Sequence, residues 1–116
     1  MDFDLALVRH ESCTVVLVRG ELDLVSRERF EASLLDALDA GRPLVVDMRD
    51  VTFCDSTGLN AVIVANRRAT ERAVPLALIS LTPRVRRVFH ITAVDQYIPV
   101  HETLADAIGT FAPTAS

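Results

Sequence analysis

Residues 51–63 read VTFCDSTGLNAVI. A strand-like run ends at Cys54, four small or polar residues follow, and an apolar segment begins. Asp55 is a good helix N-cap, because its carboxylate can accept an orphan backbone N–H from the second or third helical position. Ser56 then falls near the first helical position and Gly58 near the third. The stretch reads as strand, cap, helix, and what flanks it decides whether that unit repeats.

It does repeat. Upstream, residues 3–9 and 13–19 are two strand candidates, and His10-Glu11-Ser12 suits a hairpin turn between them. Gly20 breaks the second strand. From about Ser26, Phe30, Leu34 and Leu38 recur at helical spacing, with Gly41 and Pro43 as stop signals. Leu44 to Met48 is a buried-strand run. Downstream, a helix over residues 56 to 72 stops before Val74-Pro75, and Leu76 to Leu81 is another strand. Thr82-Pro83 is a cap followed by proline at the first helical position. Val85, Val88 and Phe89 line one face of that short helix. Ile98 to Val100 makes a last strand, and Leu104, Ala107, Ile108 and Phe111 a last amphipathic helix. The order is ββαβαβαβα. Right-handed crossovers make the sheet mostly parallel, with one antiparallel strand from the hairpin. The fold class is α/β: a mixed, mostly parallel sheet with helices mainly on one face. Residues 1–112 form one domain, and 113–116 are expected to be a disordered tail.

Composition narrows the function. A chain of 116 residues, half hydrophobic and about a quarter charged, has the balance of a single globular domain. Its net charge of −4 disfavours nucleic acid as a partner. All 12 basic residues are arginine, so lysine chemistry is excluded. Cys13 and Cys54 are not paired in a Cys-x-x-Cys motif and read as small core residues. No apolar run approaches the ~20 residues of a membrane helix, and Asp2 and Asp4 do not suit a signal peptide. The expectation is a soluble, cytoplasmic domain with no membrane partner.

Enzyme motifs fail in turn. Cys54-Asp55-Ser56-Thr57-Gly58 resembles a nucleophile elbow, but cysteine stands where that strained turn needs glycine. Neither G-x-x-x-x-G-K-[ST] nor G-x-G-x-x-G occurs. His10, His90 and His101 lack metal-ligand spacing, and His90 suits the flank of a packed helix. Asp47 and Asp50 lack the companions that phospho-aspartate chemistry needs, and read as capping or surface residues. No catalytic residue, metal or cofactor is expected.

Ser56 stands out as a hydroxyl beside the positive end of a helix dipole, where a phosphate would be partly stabilised. It would also crowd Asp55 with a further charge of about −1.5 to −2. On a helical wheel, Leu59, Val62, Ile63 and Asn66 form the core stripe, extended by Ala69 and Thr70. Thr57, Asn60, Ala61, Val64 and Arg68 fall opposite. Ala61 and Val64 would then make a small apolar docking surface beside Ser56. Gly20-Glu21-Leu22-Asp23 should lie at the same sheet edge, where open α/β sheets gather their sites. Asp23 also suits a plain turn or cap.

GELD at 20–23, VTFCDSTGL at 51–59 and TPRVRRVF at 82–89 together resemble the STAS domain of anti-sigma factor antagonists, over nearly the whole chain. The resemblance implies partner switching. The unphosphorylated protein binds an anti-sigma factor, typically a serine kinase, and so frees a sigma factor. The kinase phosphorylates the serine of D-S-[ST]-G, which falls on Ser56, and a phosphatase restores it. ATP belongs to the partner, and the protein is a binding module and kinase substrate, not an enzyme. The resemblance places Asp23, Asp55, Thr57 and Gly58 in or near the partner surface. It also leaves a non-switching STAS scaffold or transport-associated subunit as an alternative. The chain departs from the family pattern at Asn60, where a second glycine is common. A side chain there bears on partner choice.

Overall fold

The computed structural model describes residues 3–111. Its elements are β1 (Asp4–Arg9), β2 (Thr14–Leu22), α1 (Arg27–Asp39), β3 (Leu44–Cys54), α2 (Ser56–Arg72), β4 (Leu76–Ile79), α3 (Pro83–Ile91), a 3₁₀ turn (Val94–Gln96), β5 (Val100–His101) and α4 (Leu104–Gly109). The tail at 113–116 lies outside the described residues. The strands form one sheet in the order β1-β2-β3-β4-β5. Only the β1–β2 pair is antiparallel, as a hairpin requires; the remaining pairs are parallel.

The larger core lies under α1, α2 and α3, where Phe30, Leu34, Leu38, Val62 and Phe89 meet Val16, Val46 and Leu78 from the sheet. The other face carries α4, packed over Cys13, Val15, Val45, Ala77 and Ile79. Alternation along the strands sends Val16 and Val46 to one core, Val15 and Val45 to the other. Both cysteines are buried and unpaired, as their sequence context implies.

Several boundaries differ from the sequence reading, for local reasons. Gly20 does not end β2. It adopts φ +110° and pairs with Val51 between two register shifts, each of which places an extra residue on β3, so the bulges belong to β3 and β2 continues through Gly20 to Leu22. β3 likewise runs past Met48 to Cys54, because Val51, Phe53 and Cys54 pair with Gly20, Glu21 and Leu22. β4 stops at Ile79, since Ser80 takes the left-handed conformation at φ +59°. The last strand is Val100–His101, not Ile98–Val100, and Ile98 is instead buried behind the 3₁₀ turn.

The wheel drawn for α2 is also corrected. Ala61 is 0% exposed and Gly58 is buried, while Thr70 is exposed and Ile63 and Asn66 are half-buried. The wheel assumed a helix touching only the sheet. In fact α2 packs along α1 as well. Arg68 and Arg72 reach across to Asp39 at 2.8 and 3.0 Å. The buried arc therefore swings towards α1, taking Ala61 fully inside and leaving Thr57, Val64 and Arg68 half-buried.

Candidate functional site

The extensions of β2 and β3 deliver two loops side by side. Asp55 N donates to Leu22 O at 3.1 Å, which ties the start of α2 to the end of β2. Gly58 makes this approach possible: a Cβ there would lie 2.7 Å from both Leu22 Cβ and Leu22 O. Gly58 is thus a packing residue beneath the surface.

Asp55 caps α2 as anticipated. Its Oδ1 accepts from Thr57 N at 2.9 Å, Gly58 N at 3.1 Å and Thr57 Oγ1 at 2.6 Å. Leu59 N donates to Asp55 O at 2.9 Å. Burial raises the Asp55 pKa, but the hydrogen bonds from Thr57 and Gly58 outweigh it and hold the carboxyl below its ordinary value. Next to it, burial and the Asp55 charge push the Cys54 thiol up to about 12. A thiol so raised is not a nucleophile at neutral pH.

The two hydroxyls of the motif differ. Thr57 is half-buried and donates to Asp55, whereas Ser56 is exposed and its hydroxyl makes no hydrogen bond among the described residues. The expected cradle for a phosphate is largely occupied. Of the first four helical N–H groups, those of Thr57, Gly58 and Leu59 already bond to Asp55. A group attached to Ser56 would face solvent, helped only by the dipole.

Asp23 turns out to be a turn builder. Its Oδ1 accepts from Val25 N at 3.0 Å and Ser26 N at 3.1 Å, while Ser26 Oγ donates to Glu21 O at 2.6 Å. That turn holds Leu24 and Val25 outward, 74% and 89% exposed. Sequence reasoning passed over this pair. The available signal was two adjacent aliphatic residues inside a turn, where polar ones are the rule. Asn60 is exposed on α2, one turn beyond Ser56. His90 is exposed and faces Asp95, with Nδ1 to Oδ2 at 3.1 Å. Among the described residues there is no cluster of metal-ligating side chains, and no helix is long and apolar enough to cross a membrane.

What the fold and site define is a small α/β domain whose one uncommitted motif hydroxyl stands at a helix start on the carboxyl edge of a parallel sheet. Comparison with known proteins gives this class its family. Residues 4–107 match the STAS domain, and the chain belongs to that family. It is 26% identical over 100 residues to the anti-sigma-B factor antagonist of Bacillus subtilis, covering 86% of this chain and 92% of the relative. Among solved structures, an anti-sigma factor antagonist from Mycobacterium paratuberculosis superposes with a TM-score of 0.85 at 27% identity, covering 93% and 92% of the two chains. The anti-sigma factor antagonist SpoIIAA in its unphosphorylated form gives 0.75 at 25% identity, covering 99% and 100%.

Proposed function

We propose that this chain is an anti-sigma factor antagonist acting in the cytoplasm. It binds an anti-sigma factor that is also a serine kinase, and phosphorylation of Ser56 switches that binding off until a phosphatase removes the phosphate. The protein is a binding module and a kinase substrate with no cofactor of its own. The observation that carries this reading is the free, exposed Ser56 hydroxyl beside a Thr57 hydroxyl already held by Asp55. The names of the relatives, anti-sigma factor antagonists, support the same role. The partner surface is Ser56, Asn60 and the exposed Leu24–Val25 pair. Asp23, Asp55, Thr57 and Gly58 support it from beneath, with Val64 at its margin and Ala61 inside the core.

A dianion on Ser56 would add charge beside Asp55 without taking over any existing cap bond. The fold persists and the face presented to the partner changes. The test is incubation with ATP and the serine-kinase anti-sigma factors of the same genome, read by intact mass. Wild type should gain one phosphate, Thr57→Ala should still gain it, and Ser56→Ala should not. Ser56→Asp should bind the kinase more than about tenfold more weakly, roughly 1.4 kcal/mol. Full phosphorylation of Ser56→Ala, or equal affinity for Ser56→Asp, would refute the assignment.

A further inference from the structure

The two edges of the sheet are unlike. β5 is two residues long, which leaves little backbone for another strand to pair with. β1 is six residues long and pairs with β2 residue for residue, without a register shift. Its charges, Asp4 and Arg9, stand only at its ends, and Leu7 and Val8 between them are 60% and 46% exposed. Bulges, proline and central charges, which normally blunt a sheet edge, are absent from it. The hydrogen bonds fix which of its groups are free. His10 N donates to Cys13 O at 2.8 Å, and Thr14 N turns away from β1 to Pro43 O at 2.9 Å. In an antiparallel pair these roles alternate. Asp4, Ala6 and Val8 therefore bond to β2, and the N–H and C=O groups of Leu5, Leu7 and Arg9 point to the open edge.

A groove of about 280 Å³ runs along the same edge between β1 and α1, lined by Leu7, Arg9, Ser33, Asp36, Ala40 and Arg42. Arg9 and Asp36, of opposite charge, make no side-chain hydrogen bond or ion pair among the described residues. A surface that carries both signs around an apolar centre is one that a second copy can match, because in a two-fold pair the same patch serves both sides.

We propose that β1 pairs antiparallel with β1 of a second copy, joining the two sheets into one. A two-fold axis normal to the sheet keeps each face on its own side, so only residues of the same face can stand opposite one another. Two arrangements then pair most of the strand, one centred on Ala6 and one on Leu7. Centring on Ala6 sets Arg9 opposite Phe3 of the second copy. Arg29 already lies over that ring, 5.3 Å from its centre, and bonds to Phe3 O. Two guanidinium groups would then meet. Centring on Leu7 sets His10 opposite Asp4 of the second copy and brings Glu11 beside Phe3, where it meets Arg29. Opposite charges now face each other, and the most exposed leucine of the strand is covered by its own counterpart. In this arrangement the free backbone groups of Leu7 bond to those of Leu7, and those of Leu5 to those of Arg9. The axis reverses the strand direction, so the two Ser56 edges point opposite ways and stay open. The pairing is therefore independent of the proposed switch, and its failure would leave that reading untouched.

The test is sedimentation equilibrium from about 20 µM to about 1 mM, since a short edge makes a small and weak interface. The wild-type mass should rise from 12.7 kDa towards twice that value. Leu7→Pro removes an N–H that β2 does not use, and Leu7→Lys puts a charge at the centre of the pair. Each should weaken association by about tenfold or more, with thermal midpoints showing that both variants fold. Ser56→Asp should associate as wild type does. The arrangement is read by cross-linking. Leu7→Cys chains should join to one another under mild oxidation faster than Ala6→Cys or Leu17→Cys chains, because opposed residues of a hydrogen-bonded pair lie about 5.5 Å apart, within disulfide reach. A wild type that stays at 12.7 kDa throughout, or undiminished association of both Leu7 variants, would overturn the proposal. So would cross-linking that is faster through Ala6→Cys or Leu17→Cys.

Discussion

Replacing Gly58 with alanine sets two effects of opposite sign against each other. In a helix, alanine is favoured over glycine by about 1 kcal/mol. Against that, the new Cβ would stand 2.7 Å from Leu22 Cβ and 2.7 Å from Leu22 O. Ordinary contact begins near 3.4 Å, so one element must move by several tenths of an ångström. Neither neighbour can swing aside. Leu22 is fully buried, its pairing with Cys54 belongs to the β2–β3 ladder, and its carbonyl accepts from Asp55 N. Overpacking of this kind costs about 1–3 kcal/mol. With only backbone and Cβ atoms in contact, the upper part of that range applies. The clash therefore wins, and the net loss is about 1–2 kcal/mol. For a domain of this length that lowers Tm by about 3–10 °C. Urea unfolding followed by circular dichroism should show a lower midpoint with an unchanged slope. A midpoint equal to or above that of wild type would show that α2 does not sit on Leu22 as described.

The cap gives a second expectation. Asp55→Ala should lose about 1–2 kcal/mol, and Asp55→Asn should recover part of it. The Asp55 pKa is lowered by folding, so its ionic contribution is complete above the unfolded value of 3.8. It fades as pH falls through the still lower folded value. The stability gap between wild type and Asp55→Asn should therefore be smaller near pH 3 than at neutral pH; a constant gap would contradict the charged cap. A third concerns the Cys54 thiol, 4% exposed and with its pKa pushed up to about 12. It should resist a thiol reagent at pH 8 in the native protein and react at once in urea. Rapid native labelling at Cys54 would mean that the β3–α2 junction opens.

Periodicity and caps exposed most of the fold. Asp55 and Thr82 both cap helices as read, with side-chain bonds to Thr57 N, Gly58 N and Val85 N. What stayed hidden depended on distant partners. Gly20 reads locally as a breaker, and only its pairing with Val51 on a neighbouring, bulged strand shows that β2 runs through it. Ala61 reads as exposed on a wheel with one buried side, because α1 and its Asp39 are not visible from within α2. Gly58 reads as a polar-turn residue until Leu22 arrives from 36 positions earlier. The site was legible in residue type and less so in role.

That difference changes how the motif should be dissected. Asp55 holds the first turn, Thr57 holds Asp55, and Gly58 lets the turn reach Leu22. A substitution at any of these three disturbs the platform, so weaker partner binding by such a variant does not identify a contact. Ser56 and Asn60 have no such structural duty, and neither do the exposed side chains of Leu24 and Val25. Changes at these four positions should alter binding while leaving the thermal midpoint within the small range expected of surface substitutions, about 0.5 kcal/mol. Asn60 is the sharpest of them: restoring glycine removes a side chain from the exposed face one turn below Ser56. It also places glycine inside α2, at a helical cost relative to asparagine of only about 0.3 kcal/mol. If partner choice shifts in Asn60→Gly by more than that small loss can explain, the specificity lies in the side chain itself.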